Sequence, residues 1–142
     1  MKFISSSYDE ETGESSVTMQ HLGKKFTGTA KIHPDEKEKQ SAYAGCNYAE
    51  IRATIQGLKY ERKLAKAKAD EAIDFVKSCE CYAQFDKDSP SAKAMYRQLN
   101  QRIKKVNNLA DAINNLYRSL EMFIKRREII LNAMERKAKK EN

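Results

Sequence analysis

The chain has 142 residues, of which 40% are apolar and 33% are charged, and its formal net charge is +7. This length suits a single domain over residues 1–142, and the positive balance favours an anionic partner, whether nucleic acid, phosphorylated small molecule or acidic protein surface. Three cysteines cannot form a fully paired disulfide framework and no apolar run approaches the ~20 residues of a membrane span, so we expect a cytoplasmic protein with no membrane partner.

Residues 1–35 alternate polar and apolar side chains in the manner of a three-stranded β-meander. Gly13 supplies the left-handed position that the first turn needs, and Gly23 marks the second turn. Pro34 ends the third strand because it cannot donate a hydrogen bond to a strand ladder. A sheet of this size with one apolar face is expected to pack on a helix. The predicted strands are residues 2–8, 14–22 and 25–33.

A first helix is predicted within residues 41–85. Its clearest start signal is Asn47, which is followed three residues later by Glu50 in the pattern of a capping box. Gly57 interrupts the helical pattern and indicates either a close backbone contact or a kink. The predicted helix has two rows of residues at heptad spacing, and the small residues in them allow a partner helix to approach closely. The rows are Ile51, Leu58, Ala65, Ala72 and Cys79, and Ile55, Arg62, Ala69, Val76 and Ala83.

A longer second helix is predicted over residues 89–140, with Ser89 as its N-cap and Pro90 at its first position. Residues 86–88 leave only a short connection, so the helices form an antiparallel hairpin and the fold class is α+β. Three adjacent apolar rows make this face wider than one partner helix can cover, and we therefore expect a homo-oligomer. The rows are Leu99, Val106, Ile113, Leu120, Arg127 and Met134; Ile103, Ala110, Tyr117, Ile124, Leu131 and Ala138; and Leu109, Leu116, Phe123 and Ile130.

The sequence contains no recognisable catalytic or metal-binding pattern. His21 and His33 lie on or beside predicted strands, and no serine or cysteine has the context of an activated nucleophile. The Cys79-Glu80-Cys81 pair has no histidine near it in sequence, so a structural zinc site is not expected. There is also no phosphate-binding glycine loop. We therefore expect a binding protein and not an enzyme, with no cofactor and no metal.

Arginines and aromatic residues are interleaved along both predicted helices. This combination suits a nucleotide-like anion, because guanidinium groups engage phosphates and aromatic faces stack on bases. A second cationic cluster lies near the end of the chain, in residues 125–127 and 136–140. Cations there also suit the negative end of the helix dipole, so this cluster does not by itself indicate nucleic-acid binding.

A resemblance to small accessory proteins of phages and prophages is carried by Gly28-Thr29-Ala30-Lys31-Ile32, His33-Pro34-Asp35, Ala44-Gly45 and residues 48–53. In layout the chain is similar to the Thoeris anti-defence sponge family, in which an N-terminal antiparallel sheet precedes two helices. The resemblance implies a non-enzymatic oligomer in the host cytoplasm that sequesters a cyclic ADP-ribose-type signal between subunits, with cyclic oligonucleotides as a further ligand class. The host immune effector is then deprived of its activator.

For such a ligand, we select six candidate binding residues by charge, stacking capacity and position near the hairpin connection or the first helix start. They are Arg52, Tyr82, Phe85, Arg97, Asn100 and Arg102. Two other functions stay open. The basic helices could bind nucleic acid or inhibit a host defence nuclease in the manner of an anti-CRISPR protein, or the chain could be a structural coiled-coil module.

Overall fold

A computed structural model describes residues 1–31 and 39–141, with side chains described from Ala44 onward in the second range. The chain has the predicted α+β fold, in which an N-terminal antiparallel sheet is followed by two long helices. The elements are β1 (Lys2–Tyr8), β2 (Glu14–His21), β3 (Lys24–Lys31), α1 (Lys39–Glu80) and α2 (Pro90–Glu141).

The sheet has the strand order β1-β2-β3, and tight turns join its neighbouring strands. Gly13 has φ 73°, so it adopts the left-handed conformation that the sequence predicts for the first turn. Gly23, which the sequence places in the second turn, also has a positive φ of 76°. Asp9 stabilises the first turn, because its Oδ1 accepts a hydrogen bond of 2.9 Å from the backbone N–H of Glu11. The predicted last residues of the third strand and the Pro34 turn lie outside the described residues.

The two faces of the sheet differ in polarity because side chains alternate along each strand. Val17, Met19 and Ala30 are buried on the face that packs against α1. On the opposite face the hydroxyl groups of Thr18 and Thr27 hydrogen-bond across the strands at 2.9 Å. The single apolar face expected from the sequence is therefore confirmed.

The sheet approaches α1 closely because both surfaces carry small residues at the contact. Ala49 and Ala53 are fully buried one turn apart, and a β-carbon at Gly28 would overlap the backbone of that turn. At Gly57 an added β-carbon would lie 2.8 Å from the Cε of Met1. Gly57 therefore lies at a close contact with the sheet side of the protein. Of the two interpretations that the sequence allowed, a close contact or a kink, the close contact is confirmed.

The start and end of α1 differ from the prediction. The helix begins at Lys39 and runs through Asn47, so the predicted capping box at that residue is wrong. Gly45 and Ala49 are buried in consecutive turns, and this packing favours a continuous helix over a capped start. At the other end α1 stops at Glu80 and not near residue 85, because the chain turns with Phe85 N donating to the carbonyl oxygen of Tyr82 at 3.0 Å.

α2 begins as predicted. Pro90 is its first residue, and Ser89 Oγ accepts a hydrogen bond of 3.2 Å from the backbone N–H of Ala92. The helix packs antiparallel against the side of α1 that faces away from the sheet. On that side of α1 the small and apolar residues Ala65, Ala69 and Val76 are buried, as the heptad rows predicted.

One row of α2 is left largely uncovered by α1. Ile113 and Leu120 of the first predicted row are buried, and Leu109 and Leu116 of the third row are half-buried. In the second row, Ile103, Tyr117 and Ile124 remain 37–40% exposed. The interhelical seam therefore lies between the first and third rows and not between the first and second, as the heptads suggested. Both flanking rows are apolar, so hydrophobicity alone does not decide which one α1 covers.

Candidate anion-binding face

The first turns of α2 place three basic side chains on one side of the helix. Lys93, Arg97 and Lys104 are separated by four and seven residues, a spacing that aligns side chains on one helix face. All three are exposed, and within residues 1–31 and 39–141 none of them has an ion-pair partner. A shallow depression of about 410 Å³, which we call the cationic face, is lined by Lys93, Tyr96, Arg97, Asn100, Gln101 and Lys104.

The hairpin connection fixes the aromatic edge of the cationic face. The Tyr96 hydroxyl donates a hydrogen bond of 2.7 Å to Oε1 of Glu80, the last residue of α1. The Tyr96 ring meets the Phe85 ring nearly edge-on, with centroids 6.4 Å apart. The hydrogen bond to the Glu80 carboxylate raises the pKa of Tyr96, because ionisation of the phenol would break that bond and bring two negative charges together. Tyr96 thus presents a neutral ring beside three cations.

The cationic face has the chemistry to bind a phosphorylated organic anion. The Arg97 guanidinium can hold phosphate oxygens in a bidentate fork, and the two lysines add mobile point charges. The side-chain amides of Asn100 and Gln101 offer both donors and acceptors to hydroxyl or base edges. The face is open to solvent, so salt screens its charges. A tight site would need a second wall to exclude water.

Three of the six predicted binding residues lie at or beside the cationic face. Arg97 and Asn100 line it, and Phe85 supports its aromatic edge through Tyr96. Tyr82 is in the neighbouring turn with 75% of its surface exposed, and its backbone carbonyl accepts the hydrogen bond from Phe85.

Arg102 does not join this group. Its Nη1 donates a hydrogen bond of 3.2 Å to the backbone carbonyl of Lys68, and its side chain lines a groove between the two helices beside Phe75 and Leu99. This groove lies on a different side of α2 from Arg97, because five residues separate the two arginines in a helix of 3.6 residues per turn.

Arg52 is also apart from the group. Its Nη1 donates a hydrogen bond of 2.6 Å to the backbone carbonyl of Thr29, so this arginine fastens α1 to β3. Along α1, Arg52 is about 42 Å from Glu80 and the hairpin connection. Within one chain the predicted set therefore divides into a cluster near the connection and two arginines with other contacts.

Four residues of the cationic face are not among the six selected candidates, namely Lys93, Tyr96, Gln101 and Lys104, and of these only Tyr96 belongs to the interleaved arginine and aromatic set. Their common signal is helical spacing within the first four turns of α2. The arginine and aromatic residues were chosen by type, whereas spacing on one helix face would have found the lysines that share it.

A partly buried polar cluster joins the sheet to both helices. His21 of β2 contacts Glu61 of α1, with Nε2 and Oε2 2.7 Å apart, and Lys105 of α2 lies 3.9 Å from the other carboxylate oxygen. The side chains of His21 and Glu61 are 14% and 20% exposed. The carboxylate is thereby shared between a strand and two helices, which fixes their relative positions.

A second charged region lies in residues 121–141 of α2, which we call the tail. It contains seven lysines and arginines and four glutamates. Large apolar side chains are exposed among these charges, with Ile129 67% and Ile130 54% exposed. Arg127 is half-buried, while the other six cations are exposed. The exposed apolar side chains of the tail are Met122, Phe123, Ile124, Ile129, Ile130 and Met134.

The described part of the chain has neither a metal-binding cluster nor a helix that could span a membrane. Across residues 1–31 and 39–141, no three His, Cys, Asp or Glu side chains are placed together to hold a metal ion. No helix in the same ranges combines the length and apolar character needed to cross a membrane. No protein-family model, curated protein or solved structure matches the chain.

Proposed function

We propose that the protein is a non-enzymatic sponge that binds and sequesters a nucleotide-derived signal of the cyclic ADP-ribose type, with cyclic oligonucleotides as a second ligand class. The supporting observation is the cationic face, where Lys93, Arg97 and Lys104 have no described ion-pair partner and stand beside the ring of Tyr96. A phage-encoded protein of this kind would act in the host cytoplasm and deprive an immune effector of its activator.

The chemistry of the face supports this ligand class. The two negatively charged phosphates of such a ligand match the guanidinium of Arg97 and the ammonium groups of Lys93 and Lys104 on either side of it. The ring of Tyr96 offers a surface for a purine, and the amides of Asn100 and Gln101 offer partners for ribose hydroxyls. A compact cyclic dinucleotide-like anion satisfies all three features, whereas inorganic phosphate satisfies only the first.

Self-assembly is part of the proposal because one cationic face is too open to hold a small ligand tightly. A second copy that covers the face would remove water and strengthen each charged hydrogen bond. The exposed apolar side chains of the tail supply a driving force for self-association at a surface separate from the cationic face.

The test is calorimetric titration of the purified protein with cyclic ADP-ribose isomers and with cyclic di- and trinucleotides, using linear ADP-ribose as the control ligand. Arg97→Ala should weaken binding roughly tenfold or more, because a charged hydrogen bond contributes about 1.5–3 kcal/mol. Arg118→Ala removes an exposed arginine of the same helix outside the cationic face and should leave affinity unchanged.

The fate of the ligand separates a sponge from an enzyme. After heat denaturation of the complex, the recovered ligand should have its original mass and chromatographic retention. A chemically altered ligand contradicts the proposal, and so does the absence of binding by every cyclic nucleotide tested.

The tail favours one alternative function, because six of its cations are exposed on a helix end. A nucleic-acid binder, or an inhibitor of a defence nuclease acting at a nucleic-acid site, would use this region. Binding to DNA or RNA that falls steeply with salt, without binding of cyclic nucleotides, would support that function. A chain that binds neither class would fit a structural coiled-coil module.

A further inference from the structure

Two charged regions of opposite sign lie at the same end of the molecule. The turn between β1 and β2, residues 9–14, contains four carboxylates and no cation, and we call it the tip. The tail has an excess of lysine and arginine. The side chains Asp9, Glu10, Glu11 and Glu14 line an open depression together with Tyr8.

The packing of the sheet fixes where the tip lies. Gly28, the register partner of Val17, contacts α1 at Ala49, whereas residues around His21 contact α1 farther along at Gly57. The beginning of β2 therefore points toward the N-terminal end of α1. The tip, which joins β1 to β2 and includes the first residue of β2, lies at that end of the sheet.

The packing of α2 puts the tail at the same end. The Tyr48 hydroxyl donates a hydrogen bond of 3.2 Å to the backbone carbonyl of Phe123. Because the helices are antiparallel, residues of α2 after Phe123 run alongside and then past the described start of α1 at Lys39. By helical rise, the last nine residues of α2 extend about 14 Å beyond that start.

Arg127 apart, the charges of both regions have no ion-pair partner within the described residues. The four carboxylates of the tip form no ion pair there, and the same holds for the six exposed cations of the tail. Between those cations lie Ile129, Ile130 and Met134, which are 50–67% exposed. The surface is thus both apolar and cationic, and its complement is an acidic surface that also removes apolar atoms from water.

We propose that the tail docks on a second copy of this chain, with its cations facing the acidic tip of that copy. A two-fold axis makes the contact reciprocal, because each copy then gives its tip to the other tail. This requires both regions to lie at one end of the molecule, as they do. The inference rests on the self-assembly that the proposed function includes, and it assigns one contact of that assembly, about 50 Å along α2 from Arg97 of the cationic face.

The alternative pairing of two tails alone is less favourable. It would cover the same apolar side chains but would bring two cationic segments together, and like charges across an interface oppose association. The tip offers the opposite charge from the same chain, so no other protein is needed. An anionic membrane or a nucleic acid would be a different occupant.

Charge reversal tests the docking directly. The tip variant Glu10→Lys with Glu11→Lys leaves the turn-forming Asp9 in place. The tail variant Arg136→Glu with Lys140→Glu changes two exposed cations one turn apart. In sedimentation velocity each variant alone should have a dissociation constant for self-association at least ~10-fold higher than that of the wild type. The control variant Lys63→Glu with Lys66→Glu reverses two exposed charges on α1 and should behave as the wild type.

Mixing the two variants gives the decisive result. In a heterodimer of the two variants, the now positive tip of one copy faces the now negative tail of the other. The unchanged acidic tip and the unchanged cationic tail face each other at the second contact. The equimolar mixture should therefore regain wild-type association. Variants that stay associated on their own, or a mixture that fails to associate, would overturn the docking.

The failures of the two proposals are distinguishable. A wild-type chain that self-associates without sensitivity to these charges overturns the docking and leaves the sponge intact. A wild-type chain that associates as described but binds no cyclic nucleotide overturns the sponge and leaves the docking. A monomeric wild type that binds anionic vesicles or DNA through its tail overturns the choice of a second copy as occupant.

Discussion

The body of the protein consists of the sheet, α1 and residues 90–120 of α2, and the tail is the rest of α2. The body buries far more of the apolar face of α2 than the tail does. In the body, Ile113 and Leu120 of α2 are 7% and 9% exposed, because α1 covers them and the sheet backs α1. In the tail, Ile130 continues the third apolar row but is 54% exposed, and the adjacent Ile129 is 67% exposed. A repeating apolar pattern therefore specifies a face for burial but does not specify what covers that face.

Close contact in the body predicts the largest effect on stability. Gly28→Val would place a branched side chain against the backbone of Ala49 and Ala53, which cannot move without disturbing α1. We expect a loss of more than ~3 kcal/mol of unfolding free energy, or failure to fold. Thermal unfolding followed by circular dichroism measures this loss of stability. Gly23→Asn is the control, since Asn tolerates the positive φ of a turn where nothing lies within 4 Å. Equal melting temperatures for both variants would contradict the close packing.

A matched pair of isoleucines tests the contrast itself. Ile113→Ala should cost about 2–4 kcal/mol of unfolding free energy because it leaves a cavity between the helices. Ile129→Ala should change the stability of the monomer by less than about 0.5 kcal/mol, because that side chain is already exposed. Urea denaturation at high dilution isolates the monomer. Similar losses for the two variants would show that the tail is covered within the chain itself.

The start of α2 predicts a smaller effect. Ser89→Ala removes the hydroxyl that accepts the Ala92 N–H and should cost about 1 kcal/mol. Ser91→Ala, two residues along the chain at an exposed position, is the control and should have little effect. If the two substitutions lower the urea midpoint equally, Ser89 is not the cap.

A buried hydroxyl predicts the smallest effect, with the opposite sign. Ser15 is fully buried, and its Oγ has no hydrogen-bond partner among the groups that the structure describes. Ser15→Ala should therefore raise the unfolding free energy by about 0.5–1 kcal/mol, because an unsatisfied buried hydroxyl is destabilising. Thr18→Ala, which removes one partner of the exposed Thr18–Thr27 hydrogen bond, is the control and should not stabilise the protein. A destabilised Ser15→Ala protein would mean that this hydroxyl has a partner after all.

The parts of the fold that follow from local chemistry were predictable from the sequence. Gly13 and Gly23 identified the turns, and Ser89 with Pro90 identified the start of α2, because in each case one or two residues determine the backbone conformation. The start of α1 was mispredicted because Asn47 has a strong local capping signal, whereas the helix is extended by packing around Gly45 and Ala49.

The candidate site was only partly predictable for a related reason. Arg97 and Asn100 share one turn of one helix, so their proximity follows from spacing alone. The contacts of Arg52 with Thr29 and of Arg102 with Lys68 join residues 23 and 34 positions apart, and no local pattern reports such contacts. The side of α2 that faces α1 decides which arginines remain available to a ligand.

The most direct test of this account is the mass of the wild-type protein in solution, because both the sponge and the docking need the chain to associate with another copy. Sedimentation equilibrium at low micromolar concentration should give a multiple of the chain mass of 16.3 kDa. A mass of one chain across that concentration range would contradict the account, since Ile129, Ile130 and Met134 would then face water without a partner.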